Sequence, residues 1–386
     1  MLDFDYSIPT KVFFGRNKIE RIAKEIKKYA DRILLVFGGG SIKKSGLYDT
    51  VTEILNKKGI TYKELSGVAP NPRIKSVRQG VEICRENKFE FILAVGGGSV
   101  IDCSKAIAAG FYYNADPWDF FSKKVQVPRA LPLGTILTLA AAGSEMNGLS
   151  VISNEQTKEK LATGSDFLRP RFSILDPTYT FTVSQKYTAA GVVDIYSHIL
   201  EQYFCSLKDA FVQDRLAEAL IKVCLKYGPI VMEEPKNYEA RANLMWAGSL
   251  ALNGILTYGK VGDWAAHHIE HAISAVYDIT HGIGLAIIVP NWMEYVLSGE
   301  TVDKFAEYAK NIFGIESKNK FEAAKKGIEK TREFFKSLGM PASLGEVGID
   351  HKKISEIAGK ATIFGNIGEF KELNTNDVER ILEKVL

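Results

Sequence analysis

Cysteine is scarce. A chain of 386 residues has four, Cys84, Cys103, Cys205 and Cys224, and no two form a Cys-x-x-Cys pair. This excludes a disulfide scaffold and a cysteine-ligated zinc or iron–sulfur site, and reads the four as small buried hydrophobes in a reducing compartment. Long apolar runs are missing as well. Segments such as 285–290 fall far short of the roughly 18 residues that a membrane span needs. Neither sign of charge dominates, the formal net charge being +3, so the molecule is not built around a basic face for nucleic acid. The start, Met1-Leu-Asp-Phe-Asp-Tyr6, carries acids where a signal peptide needs a positive n-region. The expectation is a cytoplasmic protein with neither a membrane nor a nucleic-acid partner. Internal repeats, low-complexity tracts and long flexible linkers are also lacking. What is present is ordinary globular composition, 46% hydrophobic and 25% charged. Its length suits two or three domains at roughly 100–200 residues each.

The first half alternates strand and helix patterns. Apolar runs at 32–37 and 90–95 each stop at a glycine triplet and read as buried strands. Helical spacing follows each, at 41–58 and 99–109. Between them, 60–65 reads as a strand and 74–87 as a helix after the Pro70-Asn71-Pro72 break. Further strand candidates are 135–139, 149–152 and 171–175. This alternation implies a mostly parallel sheet covered by helices. From about Ser184 the pattern turns helical: 189–203, 210–227, 238–252, 262–276, 302–312, 320–338 and 376–385. The predicted organisation is an α/β domain over 1–182 and an all-helical domain over 183–386.

A strand that ends in glycines opening a helix makes an anion site, because the backbone can approach a phosphate and free N–H groups point at it. Gly96-Gly97-Gly98-Ser99-Val-Ile-Asp102 has that context, although it is neither G-x-G-x-x-G nor a P-loop; a plain tight turn is the other reading. Gly38-Gly39-Gly40-Ser41-Ile-Lys43-Lys44 follows the first strand, where a dinucleotide's adenosine ribose usually sits. An acid there would favour NAD. Bare amides, a hydroxyl and two lysines favour a 2′-phosphate instead, or form a turn with solvated lysines. The small and hydroxylated stretch 132–145 suits close approach to a cofactor.

Four of the six histidines fall within 267–281. Asp194 and His198 are four apart on a predicted helix and share a face, as do His267 and His271. His281 follows in what reads as a turn. One carboxylate with imidazoles suits zinc or ferrous iron. An ion pair and a packed pair remain the alternative readings, and spacing alone does not select ligands. His351 reads as a solvated helix start, and His268 points away from His267.

The ordered set of Tyr6-Ser-Ile-Pro-Thr-Lys-Val-Phe-Phe-Gly15, Gly67-Val-Ala-Pro-Asn-Pro72, Gly96-Gly-Gly-Ser-Val-Ile-Asp102, Leu137-Thr-Leu-Ala-Ala-Ala-Gly-Ser-Glu145, Gly191-Val-Val-Asp194-Ile-Tyr-Ser-His198, Trp264-Ala-Ala-His267-His-Ile-Glu-His271 and His281-Gly282 spans nearly the whole chain. In that order it resembles the iron-containing (group III) alcohol dehydrogenases, in their butanol dehydrogenase or aldehyde reductase branch. The resemblance implies a dehydroquinate synthase-like fold: a Rossmann-like parallel-sheet domain, a helical metal-binding domain, and the site in the cleft between them. It also implies metal ligands Asp194, His198, His267 and His281, with His271 near the metal as a catalytic residue. Gly97, Gly98 and Ser99 match the pyrophosphate loop, with Asp102 at the nicotinamide side. Thr138, Ser144, Asn147 and Lys160 match further cofactor contacts, and Asn71 lines the substrate cleft.

Gly38, Gly39 and Ser41 follow the NADPH-using pattern, so NADP(H) is expected to be preferred, with some NAD(H) use. Leu139, Ala140 and Ala142 stand where the family often has hydroxyls. The implied reaction is hydride transfer between NAD(P)(H) and a primary alcohol or aldehyde such as butanol and butanal, with Fe²⁺ or alternatively Zn²⁺. A homodimer or larger assembly is implied. The rival readings are a glycerol-type polyol dehydrogenase on the same fold and a non-catalytic nucleotide-binding regulator.

Overall fold

Six short strands pair side by side, all parallel, in the computed structural model, which describes residues 1–207 and 209–386. The strands of the chain are β1 (Lys11–Phe14), β2 (Arg32–Phe37), β3 (Thr61–Leu65), β4 (Phe91–Gly96), β5 (Leu133–Leu137), β6 (Leu149–Asn154), β7 (Glu159–Gly164) and β8 (Phe172–Leu175). The main sheet has the order β1-β8-β5-β4-β2-β3, while β6 and β7 form a separate antiparallel hairpin. Central strands β4, β5 and β8 are buried throughout, whereas edge strand β3 alternates exposed and half-buried residues up to buried Leu65. Helices α1 (Ile22–Ile26), α2 (Ser41–Lys44), α3 (Leu47–Lys57), α4 (Ile74–Asn87) and α5 (Gly98–Gly110) provide the crossovers.

From β2 the chain adds β3 on one side and then β4, β5 and β8 on the other. The connections therefore reverse between β2 and β4, and ligands of open α/β sheets bind at that reversal, outside the strands' carboxyl ends. Phe37 pairs with Val95 at those ends, so the two glycine triplets leave the sheet together.

The remaining helices are α6 (Gln185–Tyr203), α7 (Phe211–Glu233), α8 (Tyr238–Ala251), α9 (Ala265–Tyr277), α10 (His281–Val296), α11 (Val302–Phe313), α12 (Lys320–Ser337), α13 (Ile354–Ala361) and α14 (Thr375–Lys384). The chain divides into two compact units, 7–183 with 235–253, and 1–6 with 184–234 and 254–386. By compactness α8 groups with the α/β unit, across the cut expected after 182. The Ser249 hydroxyl donates to the buried Glu145 carboxylate. Gly143, at φ +60°, lies so close that a Cβ there would sit 2.6 Å from the Gly248 carbonyl oxygen. In the helical unit α6 is buried from Thr188 to Tyr203 and packs against α7 and α10.

The helix predicted at 41–58 is broken at Gly46, whose φ of +77° ends one helix and starts the next. All four cysteines are free and buried. Among the described residues no helix is long and apolar enough to cross a membrane.

Candidate active site

Asp194 and His198 sit one turn apart on α6, as their spacing predicts. His267 lies in the first turn of α9, and His281 is the first residue of α10 rather than part of a turn. The approach of α10 to α6 depends on Gly282, where a Cβ would lie 2.1 Å from the Ala190 carbonyl oxygen. One donor atom each from Asp194, His267 and His281 falls within 4.8 Å of the others. Nε2 of His267 and of His281 are 4.0 and 3.5 Å from Asp194 Oδ1. His198 stands just outside this trio, its ring centroid 4.4 Å from that of His267. His271, one turn along α9, has its ring 5.3 Å from that of His281.

The hydrogen bonds set which nitrogen of each ring is available. His198 Nδ1 is 3.1 Å from Asp194 Oδ1, but its proton is directed to the Asp194 carbonyl oxygen at 2.8 Å. His267 Nδ1 donates to Glu201 and His281 Nδ1 donates to Glu270. Glu201 also accepts from the Ala266 amide at 2.7 Å, and Glu270 accepts from Ser274. Each of the three imidazoles therefore carries its proton on Nδ1 and its lone pair on Nε2. Carboxylate partners of this kind orient metal-binding histidines and raise their basicity.

Asp194 Oδ1 and His267 Nε2 are buried and have no hydrogen-bond partner. Two opposed acceptors orphaned in the interior are costly unless a cation lies between them. The residues therefore fit a divalent metal. Burial opposes ionisation of Asp194, yet His198, His281 and His267 hold its carboxyl well below the usual carboxylate range. Burial likewise opposes charge on His198, where Asp194 more than offsets it and raises the pKa; at His267 burial prevails and lowers it. Sequence spacing did not reveal Glu201 or Glu270. Both are fully buried glutamates within predicted helices, a burial that the sequence does not signal.

In the α/β unit, α5 begins directly after β4 and aims its N-terminus at the sheet's ligand-binding end. Gly97 and Gly98 face the loop after β5, where their Cβ atoms would lie 3.1 Å from Leu139 Cβ and 3.5 Å from Ala142 Cβ. The Thr138 amide donates to the Gly96 carbonyl oxygen at 3.0 Å. Gly38 abuts the Val68 carbonyl oxygen, while Gly39 and Gly40 face open space and Ser41 is exposed. Lys43 lies over the Tyr48 ring at 4.5 Å and within 4.0 Å of Glu64.

Asp102, Ser144 and Asn147 meet in one buried network. The Ser144 hydroxyl donates to Asp102 Oδ1 at 2.5 Å, and the Val151 amide donates to Asp102 Oδ2 at 3.0 Å. Asn147 donates to the Gly143 carbonyl oxygen at 3.0 Å and accepts from the Leu149 amide at 2.9 Å. Lys105, absent from the sequence-based candidates, lies at its centre. Burial raises the Asp102 pKa and lowers that of Lys105 to about 8. Lys160 on β7 is buried close enough to Asp102 to oppose its shift. Ser153, opposite Lys160 in the hairpin, donates its amide to the Pro72 carbonyl oxygen at 2.8 Å, which brings the hairpin beside buried Asn71.

Glycine turns at the carboxyl ends of a parallel sheet and a histidine–carboxylate cluster that fits a divalent metal are together the features of a metal-assisted dehydrogenase. Residues 9–177 match the family described as iron-containing alcohol dehydrogenase, and 188–386 match its C-terminal domain. The chain belongs to that family. It is 54% identical to NADH-dependent butanol dehydrogenase A of Clostridium acetobutylicum over the whole of both chains. It is 38% identical to the NADPH-dependent aldehyde reductase YqhD of Escherichia coli over 99% of each. The crystal structure of an NADH-dependent butanol dehydrogenase A from Thermotoga maritima superimposes with a TM-score of 0.96 at 42% identity, covering 100% of this chain and 99% of that one.

Proposed function

We propose that this protein interconverts primary aldehydes and alcohols of the butanal and butanol type by metal-dependent hydride transfer with NAD(P)(H). The observation that carries the reading is the orphaned pair Asp194 Oδ1 and His267 Nε2, the His267 ring being held through Nδ1 by Glu201. Asp194, His198, His267 and His281 would hold Fe²⁺, with Zn²⁺ the alternative that the same donors accept. The ion would supply Lewis acidity toward the carbonyl oxygen, and the nicotinamide would supply or accept hydride. Glu201 and Glu270 keep the Nε2 lone pairs of His267 and His281 facing inward. The proton that the reduced carbonyl oxygen takes up arrives through water, the cofactor ribose hydroxyls or His271.

Gly97, Gly98 and Ser99 receive the pyrophosphate at the start of α5. Asp102, Thr138 and Lys160 border the nicotinamide half, with Ser144 and Asn147 behind them, and Asn71 borders the substrate. At the first turn, Gly38, Gly39 and Ser41 offer amides and a hydroxyl but no carboxylate, which supports NADP(H) over NAD(H). The butanol dehydrogenase relatives named NADH-dependent keep NAD(H) use in the reading. A cytoplasmic homodimer or larger assembly rests on the family resemblance and is tested by fractionation and sedimentation. The activity itself is tested by supplying butanal and NADPH and quantifying 1-butanol against NADPH consumed. One-to-one formation is expected, and NADPH loss without butanol would refute it.

A further inference from the structure

Lys105 has no part in the chemistry above, yet its buried ammonium is fully satisfied within the α/β unit. It lies on α5, six residues past Ser99, and is completely buried. Its ammonium has three N–H donors. They go to Ser144 Oγ at 2.8 Å, Asn147 Oδ1 at 2.9 Å and the Leu149 carbonyl oxygen at 2.7 Å. Those acceptors lie at the far end of the loop after β5 and at the head of β6. The near end of the same loop faces the second glycine turn, through Leu139 beside Gly97 and Ala142 beside Gly98. One wall of the slot over that turn is therefore the loop, and the loop's far anchorage is the ammonium.

Ser144 and Asn147 are committed to this anchorage. Ser144 accepts from Lys105 and donates to Asp102, and Asn147 Oδ1 accepts from both Lys105 and the Leu149 amide. The bonds of both run within the protein.

We propose that Lys105 is a positioning residue that sets the gap between the glycine turn Gly96–Ser99 and the loop 139–147, and so tunes the fit of the dinucleotide's pyrophosphate. Ser144 and Asn147 act through Lys105 rather than by touching the cofactor. The inference rests on the reading that this end of the sheet binds a dinucleotide.

The test uses the metal-loaded full chain with Lys105→Met, Ser144→Ala and the double variant. Dissociation constants are measured by fluorescence titration for NADPH, and by competition for 2′-AMP, which has no pyrophosphate. Loss of buried charge-assisted bonds is expected to weaken NADPH binding roughly tenfold or more in Lys105→Met. Binding of 2′-AMP should stay within roughly twofold of wild type, as for an independent site. The double variant should be no weaker than Lys105→Met alone, because both changes break one unit. Equal weakening of NADPH and 2′-AMP would show a general collapse and overturn the proposal. Wild-type NADPH affinity in Lys105→Met, or losses that add in the double variant, would also overturn it. If Lys105→Met does not fold, Ser144→Ala alone decides, since unchanged NADPH affinity there overturns the proposal. A wild-type protein that binds neither NADPH nor NADH would overturn this inference together with the reading beneath it.

Discussion

Removing the Glu201 carboxylate probes the metal centre without touching a donor. Glu201 is fully buried on α6, two turns from Asp194. It accepts from His267 Nδ1 and from the Ala266 amide at 2.7 Å. In Glu201→Ala the His267 ring loses the acceptor that keeps its proton on Nδ1, so the tautomer with Nε2 protonated becomes accessible. That tautomer has no lone pair facing Asp194. Loss of such a partner costs about 10–100-fold in metal affinity, or about 1.4–2.7 kcal/mol. A separate loss of stability is expected, since each buried N–H left without an acceptor costs about 1–3 kcal/mol. Glu201→Gln keeps one acceptor oxygen at similar volume and should lie between wild type and Glu201→Ala in affinity.

The assay is anaerobic competition between apoprotein and a chromophoric chelator for Fe²⁺. It is repeated with Co²⁺, whose visible spectrum reports ligand number and geometry. A Glu201→Ala protein with wild-type metal affinity and an unchanged Co²⁺ spectrum would refute the reasoning, because ring orientation would then be set by packing alone.

Four other changes probe neighbouring parts of the account. His267→Ala should abolish both tight metal binding and turnover, checked by metal analysis alongside a rate assay. Gly282→Ala puts a Cβ 2.1 Å from the Ala190 carbonyl oxygen, so α10 must shift from α6 and carry His281 with it; the expected result is a lower melting temperature with metal loss, read by calorimetry and metal analysis. Gly39→Asp enters open space at an ordinary φ and should lower the NADPH-to-NADH preference in kcat/KM roughly tenfold or more by charge repulsion of the 2′-phosphate. Finally, burial and then the Glu201 charge raise the Asp263 pKa to about 7, against partial opposition from the Phe370, Ala265 and Glu369 amides. A carboxyl raised on folding contributes stability at low pH that is lost as pH rises through the folded value. The melting temperature of wild type relative to Asp263→Asn should therefore fall between pH 5 and pH 8, and a pH-independent difference would contradict the assignment.

Much of the fold was legible because its signals are local. The runs at 32–37 and 90–95 end in glycine triplets, and β2 and β4 end there. The span 74–87 is bounded by a proline break and is amphipathic, and it coincides with α4. Where burial is uniform, periodicity disappears. Helix α10 was not anticipated, since Gly282–Met293 is buried on every side and Pro290 lies inside it. Hairpin strand β7 was missed because Glu159-Lys160-Leu161-Ala162-Thr163-Gly164 has little of the β-branched or aromatic character that marks a strand. The packing of α8 in the α/β unit includes a bond between Glu145 and Ser249, 104 positions apart, and no local pattern encodes contacts of that range.

The candidate donors were legible as residue types at helical spacing. The residues that hold them were not, since Glu201, Glu270 and Lys105 look in sequence like solvated charges on helices. Only the fold removes them from water and gives each its partners.

The most direct test of the central claim is butanal-dependent NADPH oxidation, run beside NADH, on protein stripped of metal and then reloaded with Fe²⁺ or Zn²⁺. The account predicts negligible turnover in the stripped protein, recovery on reloading, and faster reaction with NADPH than with NADH. Full turnover by the stripped protein would contradict it.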